Sequence, residues 1–303
     1  MNKRRSIHYC FGIVLVFLVM LLMNCSGNTQ KKDTTKSVNI QGHRGCRGLL
    51  PENSMIGFEK AIELHVSTLE LDVVISKDHK VVVSHEPFLN HEIALDLQGN
   101  PIPESEEKSY NLYQMTYDSI RQYDCGTKVH PRFPTQQKVK VAKPLLEDVI
   151  AMAEAKTGNT ISYNIEIKRQ PSYDGVYAPP VATFVKLVLK VVQKYNLGNR
   201  VNLQAFDIET LEEIKAQMPN MKLALLISGD ESIDAKLKRL TFTPEIISPN
   251  YKLLTEKNVR EYQEKGFLII PWTVNKEIDI LQLMHWNVDA IITDYPNFML
   301  PES

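Results

Sequence analysis

The chain has 303 residues, of which 43% are hydrophobic and 23% are charged, as is typical of a soluble globular protein. Its formal net charge of -1 provides no overall attraction to nucleic acid or to an anionic membrane surface, which argues against a polyanion-binding module and against a nucleic-acid partner. A chain of this length accommodates one large barrel or two ordinary domains.

Residues 1–24 are interpreted as an export signal of the lipoprotein type. A basic segment, Lys3–Arg5, precedes the apolar run Tyr9–Met23, which is shorter than the roughly 20 apolar residues of a transmembrane helix. The run ends beside Cys25 in a pattern that resembles the bacterial lipobox, in which the cysteine carries the lipid. We therefore expect an exported protein of the bacterial cell envelope, anchored to the membrane through Cys25 and facing the periplasm or the outside. The alternative is an unmodified cysteine near a signal anchor.

The anchor is followed by a polar segment and then by a single predicted domain. Residues 25–37 are polar and rich in Lys and Thr, which predicts a flexible tether. No linker rich in Pro or Gly divides residues 38–303, so we expect one domain there. This domain contains Cys46 and Cys125, which the sequence leaves either free or paired in an oxidising compartment.

Segments typical of strands and helices alternate along this domain. The predicted strands are Val38–Gln41, Thr68–Ile75, Val81–His85, Ile161–Lys168, Val201–Phe206, Leu223–Ile227, Ile246–Pro249, Leu268–Val274 and Ala290–Thr293. The predicted helices include one that runs through Phe58–Ile62, with Asn53 as its N-cap, and the segments Val181–Tyr195, Glu209–Met218, Glu256–Lys265 and Ile278–Trp286.

The spacing of these elements predicts the fold. Val81–His85 follows the preceding strand after only a few polar residues, which favours a hairpin over a crossover. Without it eight strands remain, each followed by a helix or by the chain end, and this pattern predicts a closed (β/α)8 barrel of the TIM type. Residues 87–144 break the alternation, and we interpret them as a small insertion after the hairpin, over one mouth of the barrel.

Acidic residues lie within strands that are otherwise apolar. Glu70 and Asp72 are two positions apart and therefore share one face of their strand, and Glu166 lies between two isoleucines in the next barrel strand. Three carboxylates that point into a barrel would be destabilising unless a cation neutralises them. Ligands that are all oxygens favour Ca²⁺ or Mg²⁺. The alternative for these residues is a solvated strand face.

A series of short motifs resembles the signature of the glycerophosphodiester phosphodiesterase family, and the resemblance extends from about Ile40 to the C-terminus. The motifs are His43-Arg44-Gly45, Pro51-Glu52-Asn53-Ser54, Glu70-Leu71-Asp72-Val73, Ser84-His85, Glu166-Ile167-Lys168, Trp272-Thr273-Val274-Asn275 and Thr293-Asp294-Tyr295-Pro296. The resemblance implies a TIM-type barrel with an insertion after the hairpin. It also implies metal-dependent hydrolysis of a small-molecule glycerophosphodiester to glycerol 3-phosphate and an alcohol.

The resemblance assigns roles to the residues in these motifs. It implies that His43 and His85 are the general acid–base pair, for which imidazole is suited near neutral pH. It implies that the metal ligands are Glu70, Asp72 and Glu166. The family usually has Asp directly after the second His, whereas this chain has Glu86.

Further residues of the motifs are expected around the reacting phosphate. Arg44 and Lys168 are expected to bind phosphoryl oxygens, where negative charge builds up in the transition state. Trp272 either stacks on the glycerol carbons or fills the barrel. Additional candidates at strand ends and in the first loop are Glu52, Gln204 and Asp294.

Two other functions are consistent with the same sequence. The first is a phospholipase-type phosphodiesterase that acts on intact lipid, which membrane anchoring would favour. The second is a non-catalytic binding lipoprotein, which the replacement of Asp by Glu86 would favour. Turnover of liposomal lipid distinguishes the first function, and binding of glycerophosphodiesters without cleavage distinguishes the second.

Overall fold

The computed structural model describes residues 38–299, so the predicted export signal (1–24) and tether (25–37) lie outside the described residues. The strands in the described range are β1 (Asn39–Gly42), β2 (Thr68–Ile75), β3 (Val81–Val83), β4 (Ser162–Ile167), β5 (Val201–Ala205), β6 (Lys222–Ile227), β7 (Ile246–Pro249), β8 (Leu268–Ile269) and β9 (Ala290–Thr293). The α-helices are α1 (Met55–Glu63), α2 (Tyr117–Ile120), α3 (Leu146–Thr157), α4 (Val181–Lys194), α5 (Ile208–Gln217), α6 (Ile233–Leu237), α7 (Glu256–Glu264) and α8 (Glu277–His285).

Eight of the strands form a parallel barrel. Neighbouring strands follow the order β8-β7-β6-β5-β4-β2-β1-β9, and every pair along this path is parallel. Between β8 and β9 the ring is closed by backbone hydrogen bonds, in which Asp289 N donates to Ile269 O and Ile292 N donates to Pro271 O, both at 3.0 Å. The predicted (β/α)8 barrel is confirmed.

The remaining strand, β3, forms the predicted hairpin. It pairs antiparallel with the C-terminal part of β2, with Val73 opposite Val83 and Ile75 opposite Val81. Strand β2 therefore belongs to the barrel in its first part and to the hairpin in its last part. As a result, the chain turns back at the mouth of the barrel and places His85 next to the ends of the barrel strands.

Side chains alternate between the two faces of the barrel strands. The outward side chains, such as Leu69, Tyr163 and Leu203, pack against the surrounding helices in the main hydrophobic core. The inward side chains of β6 to β9 and of the segment after β8 form a small apolar cluster of Ala224, Ile246, Ile270, Ala290 and Ile292. The inward positions of β1, β2, β4 and β5 are instead polar and buried, and they hold Gln41, Glu70, Asp72, Asn164, Glu166, Asn202 and Gln204.

The insertion between β3 and α3 has its own hydrophobic core. Val74 and Val82 of the hairpin pack there with residues of the insertion that include Leu89, Leu112 and Ile120. Partly buried tyrosines surround this core, and they are Tyr110, Tyr117 and Tyr123. These tyrosines therefore extend the core that the insertion shares with the hairpin.

Several local predictions differ from the structure. The N-cap of α1 is Ser54, whose Oγ accepts a hydrogen bond from Gly57 N at 3.1 Å, so the predicted cap Asn53 is wrong. Strand β8 ends at Ile269 instead of continuing to Val274, because Pro271 has no N–H to donate to a neighbouring strand. Helices α2, α3 and α6 were not among the predicted helices.

The two cysteines of the domain do not form a disulfide. Cys46 and Cys125 are both free and buried, so of the two possibilities that the sequence left open, free or paired, the structure shows free thiols. Burial raises the pKa of the Cys46 thiol to about 12, so this thiol is protonated at neutral pH.

None of the helices formed by residues 38–299 combines the length and the hydropathy that a membrane crossing requires.

Gly42 ends β1 immediately before the turn that carries His43. A Cβ atom at this position would lie 2.2 Å from the carbonyl oxygen of Gly45 and 3.3 Å from the Cβ of Ala61. We expect Gly42→Ala to lower the free energy of unfolding by about 1–3 kcal/mol, as overpacking does in cores. Thermal unfolding measures the loss. The matched control is Gly229→Ala, whose Cβ would meet no atom closer than 3.4 Å, and equal melting temperatures for the two variants would contradict the prediction.

Candidate active site

Polar side chains converge at the carboxyl ends of the barrel strands. His43 follows β1, Asp294 follows β9 and Lys168 follows β4, while Glu70 and Asp72 lie within β2. In TIM-type barrels this end of the strands is the face that carries active sites. The predicted site residues therefore come from strands that are neighbours in the barrel.

Three carboxylates form a buried cluster. Glu70, Asp72 and Glu166 each offer an oxygen atom, and these atoms lie within 4.8 Å of one another. The residues are only 2%, 1% and 7% exposed, respectively. Burial, and then the neighbouring Asp72, raise the pKa of Glu70 well above its ordinary value, and burial raises the pKa of Glu166 to about 7. The cluster therefore holds more negative charge than the protein alone stabilises.

The cluster fits a divalent cation. Asp72 Oδ1 is buried and has no hydrogen-bond partner within the described part of the chain, and buried polar atoms without a partner are rare in proteins. All the candidate ligand atoms are oxygens, which favours a hard ion such as Ca²⁺ or Mg²⁺. The three residues predicted as metal ligands are thus close enough to bind one ion together.

His43 is oriented by a buried carboxylate. Its Nδ1 hydrogen-bonds to Asp294 Oδ1 at 2.6 Å, and Asp294 is held in turn by Arg47 Nε at 2.9 Å and by Asn275 Nδ2 at 2.6 Å. Burial lowers the pKa of His43 to about 4, although Asp294 acts in the opposite direction. Burial would raise the pKa of Asp294, but its interactions with His43 and Arg47 hold it well below its ordinary value. Because Nδ1 is engaged, Nε2 is the nitrogen left to exchange a proton with a ligand.

His85 is oriented in the same way by the residue that follows it. Its Nδ1 hydrogen-bonds to Glu86 Oε1 at 2.6 Å, so the longer side chain of Glu86 reaches the imidazole. The pKa of His85 is lowered by desolvation and then by the nearby charges of Arg44 and Lys168. The departure from the usual Asp therefore leaves the contact between carboxylate and imidazole in place.

Two cations lie beside the carboxylate cluster. Arg44 Nη1 forms an ion pair with Glu52 Oε1 at 2.9 Å, and its Nε lies 3.2 Å from Asp72 Oδ2. Lys168 Nζ lies 2.8 Å from Glu166 Oε1. Burial opposes ionisation of Asp72, but Arg44 and then Lys168 lower its pKa. These two cations thus keep part of the cluster ionised.

A cavity of about 200 Å³, which we call the main cavity, opens above these groups. His43, Glu70, His85 and Glu166 line it, together with two aromatic side chains, Phe206 and Trp272. Trp272 Nε1 donates to Ser248 O at 2.8 Å, and the centroid of its ring lies 5.5 Å from that of Phe206 in an edge-to-face arrangement. Trp272 is therefore part of the cavity wall in a fixed orientation.

The structure adds residues to the site that the sequence did not place there. Arg47 binds Asp294, and Arg132 of the insertion lines the main cavity. Asn53, with a positive φ of 52°, donates from Nδ2 to Asp72 Oδ2 at 2.8 Å. The position of Arg47 four residues after His43 in the same loop is a sequence signal for its place in the site, whereas nothing in the sequence around Arg132 indicates its position.

Gln204 and Glu52, which the sequence left as candidates, both contact residues of the site. Gln204 Nε2 donates to Glu70 Oε1 at 2.9 Å. Glu52 accepts a hydrogen bond from Arg44. Burial would raise the pKa of Glu52, but the charges of Arg44 and Arg47 hold it well below its ordinary value. Gln204 therefore contacts the carboxylate cluster directly, whereas Glu52 acts on it through Arg44.

Comparisons with known proteins agree with this geometry. A model of the glycerophosphoryl diester phosphodiesterase family matches residues 43–298. A glycerophosphodiester phosphodiesterase of Bacillus subtilis (strain 168) is 28% identical over 291 residues, which cover 94% of this chain and 92% of the relative. One from Caldanaerobacter subterraneus subsp. tengcongensis is 26% identical over 265 residues, which cover 86% of this chain and 96% of the relative.

A solved structure shares the fold. A crystal structure of a Silicibacter pomeroyi protein, named after the same activity, matches with a TM-score of 0.78 at 28% identity and covers 86% of this chain and 91% of the other. The segment matched by the family model contains both histidines, their carboxylate partners and the three clustered carboxylates. The chain therefore belongs to the glycerophosphoryl diester phosphodiesterase family.

Proposed function

We propose that the protein is a metal-dependent hydrolase that cleaves glycerophosphodiesters to glycerol 3-phosphate and an alcohol, with His43 and His85 as the acid–base pair. The observation that carries the proposal is that two imidazoles line one cavity together with Glu70 and Glu166, which cluster with a third buried carboxylate, Asp72. Family membership supports it, as do the names of the relatives from B. subtilis and C. subterraneus.

The side chains of the main cavity match the needs of phosphodiester cleavage. One imidazole accepts the proton of the attacking hydroxyl, and the other donates a proton to the departing alkoxide. Each imidazole is held at Nδ1 by a carboxylate, His43 by Asp294 and His85 by Glu86, so both can exchange a proton through Nε2. Arg44 and Lys168 supply positive charge where the phosphoryl oxygens would lie.

Glu70, Asp72 and Glu166 would hold the cation. When bound there, a divalent cation supplies Lewis-acid stabilisation of a phosphoryl oxygen. Gln204 and Asn53 keep two of the ligands in position, since they donate to Glu70 and to Asp72. The aromatic wall formed by Phe206 and Trp272 limits the access of water and offers an apolar surface to the glycerol carbons.

The volume of the main cavity favours a small soluble diester over an intact phospholipid. At about 200 Å³ it is smaller than the roughly 300–1,000 Å³ pockets that enclose drug-sized ligands. The contact between Glu86 and His85 removes the argument for a non-catalytic binding protein. If the purified domain cleaved liposomal phospholipid faster than soluble glycerophosphodiesters, the lipid alternative would replace this proposal.

The two histidines are expected to be required for turnover. Because each transfers a proton in the proposed reaction, His43→Ala and His85→Ala should each lower kcat by roughly 10²–10⁴-fold. The assay is release of glycerol 3-phosphate from a panel of glycerophosphodiesters. His285→Ala is the matched control, because His285 is exposed at the end of α8, and its rate should stay within twofold of the wild type by the ordinary behaviour of surface substitutions. Full activity in either active-site variant would refute the proposed roles.

The carboxylate cluster is expected to bind a cation independently of turnover. Adding Ca²⁺ or Mg²⁺ to the chelator-treated protein should raise the melting temperature, because an ion that binds only the folded state stabilises it, by about 2.7 kcal/mol at a hundredfold excess over Kd. Asp72→Asn should abolish the shift, and chelator should abolish product release. A control, Asp118→Asn, changes an exposed carboxylate of α2 and should retain the shift. Equal shifts in both variants would place the ion elsewhere.

Glu86 is expected to act through His85. Glu86→Gln keeps the size of the side chain but removes its charge, so we expect kcat to fall about 10–100-fold, as for other residues that orient a catalytic group, while KM changes little. Steady-state kinetics separates the two constants, and Glu86→Asp, which restores the residue usual in the family, should recover part of kcat. A rise in KM with kcat unchanged would show that Glu86 contacts the substrate instead of positioning His85.

A further inference from the structure

Three arginines and one lysine line the main cavity, and the protein holds one of them much less tightly than the others. Arg44, Arg47 and Lys168 each form an ion pair of 2.9 Å or less with a buried carboxylate. The ion pair between Arg132 and Glu92 is longer, at 3.6 Å, and the side chain of Arg132 is 57% exposed. Because exposed ion pairs contribute little to stability, the guanidinium of Arg132 can exchange Glu92 for a ligand at a small energetic cost.

The chain on either side of Arg132 is attached to the loop after β1. Residues 130–136 belong to the insertion, and we call them the docking segment. Gln136 Nε2 donates to the main-chain oxygen of Arg47 at 2.6 Å. The Cζ atom of Arg47 lies 5.0 Å from the centroid of the Phe133 ring, which is within the range of a cation–π contact. The docking segment therefore has a defined position beside this loop, and that position brings Arg132 to the main cavity.

His130 holds the backbone of Arg132. Its ring is buried and packs edge-to-face on Phe133, with centroids 4.9 Å apart. Its Nδ1 accepts a hydrogen bond from Arg132 N at 3.2 Å, so in the neutral ring the proton is on Nε2. Nε2 lies 4.0 Å from Glu52 Oε2, and Glu52 also binds Arg44. The backbone of Arg132 is therefore anchored on the side of the main cavity where Arg44 lies.

An anion with several oxygens suits Arg132. A guanidinium presents its N–H donors in a planar fork that matches two oxygens of a phosphate. A phosphodiester carries one negative charge, and a phosphate monoester carries about 1.5 to 2 at neutral pH. Arg44 and Lys168 share their positive charge with carboxylates of the protein. A further cation without a short ion pair therefore adds to the attraction that this anion experiences.

We propose that Arg132 binds the phosphate of the substrate and of the product, so that the insertion contributes a residue to the candidate site. The inference rests on the proposed function, which puts a phosphate in the main cavity. Arg132 differs from Arg44 and Lys168 because it exchanges a carboxylate of the protein, that of Glu92, for the ligand. Since the docking segment is in place without a ligand, the side chain of Arg132 is the part that must be ordered on binding, which limits the entropic cost.

The test measures binding separately from turnover. The probe is glycerol 3-phosphate, whose dissociation constant is measured by isothermal titration calorimetry on the protein loaded with Ca²⁺ or Mg²⁺. Arg132→Gln removes the charge and should weaken binding about tenfold, as expected for hydrogen bonds to a charged partner. It should raise KM for glycerophosphodiesters by a similar factor and change kcat little, because a contact made equally in the ground state and the transition state acts on KM. Arg132→Lys keeps the charge and should recover part of the affinity.

Glu92→Gln distinguishes a ligand-binding role of Arg132 from a structural one. If Arg132 serves to pair with Glu92, Arg132→Gln and Glu92→Gln remove the same ion pair and should weaken binding to the same extent. If Arg132 binds the phosphate, Glu92→Gln removes a competitor, and the affinity should stay equal or rise. Arg121→Gln is the matched control, because Arg121 is an exposed arginine at the end of α2 in the same insertion, and it should leave the dissociation constant unchanged.

The dependence on salt adds a second measurement. Attraction between charges weakens as the ionic strength rises, so the wild type should lose more affinity than Arg132→Gln between about 0.05 and 0.5 M salt. Wild-type affinity in Arg132→Gln, or equal losses in Arg132→Gln and Glu92→Gln, would overturn the inference while leaving the proposed function intact. If the wild type binds glycerol 3-phosphate through Arg132 but cleaves none of the glycerophosphodiesters, the proposed function fails and the phosphate-binding role of Arg132 stands.

Discussion

The burial of three carboxylates inside one barrel is the constraint on which the other features of the site depend. Glu70, Asp72 and Glu166 occupy inward positions of two adjacent strands, where like charges repel and water is scarce. Around them the chain places amide donors and a cation, namely Asn53, Gln204 and Arg44. The barrel is accordingly polar on one side and apolar on the other, and the polar side is the side that holds the candidate site.

Both imidazoles are held at Nδ1 by a carboxylate, but the two carboxylates come from different parts of the molecule. His43 is attached to a barrel strand and its carboxylate partner comes from the last strand, 251 positions away in sequence. His85 follows the hairpin and its partner is the next residue. One pair therefore depends on closure of the barrel, whereas the other is local and depends on where the hairpin ends.

The sequence predicted the features that depend on local patterns. The bounds of Thr68–Ile75, Ile246–Pro249 and Ala290–Thr293 agree with the structure, because apolar runs between polar segments mark strands clearly. The cluster of carboxylates followed from spacing and family resemblance. The role of Asn53 and the position of Arg132 in the cavity wall depend on contacts between residues far apart in the chain, and no periodicity in the sequence reports such contacts. Helix α3 was not predicted because it follows directly after the insertion, whose periodicity is weak.

The hydrophobic core of the insertion has a consequence for how freely this region can be exchanged between proteins. The side chains of Val74 and Val82 belong to the hairpin and pack in the insertion core, while the same hairpin leads into His85 two residues after Val83. The insertion is therefore not an independent module attached to a finished barrel. A chimera that receives the insertion of a relative needs a matching set of side chains beneath it, or the graft will move His85 together with the loop.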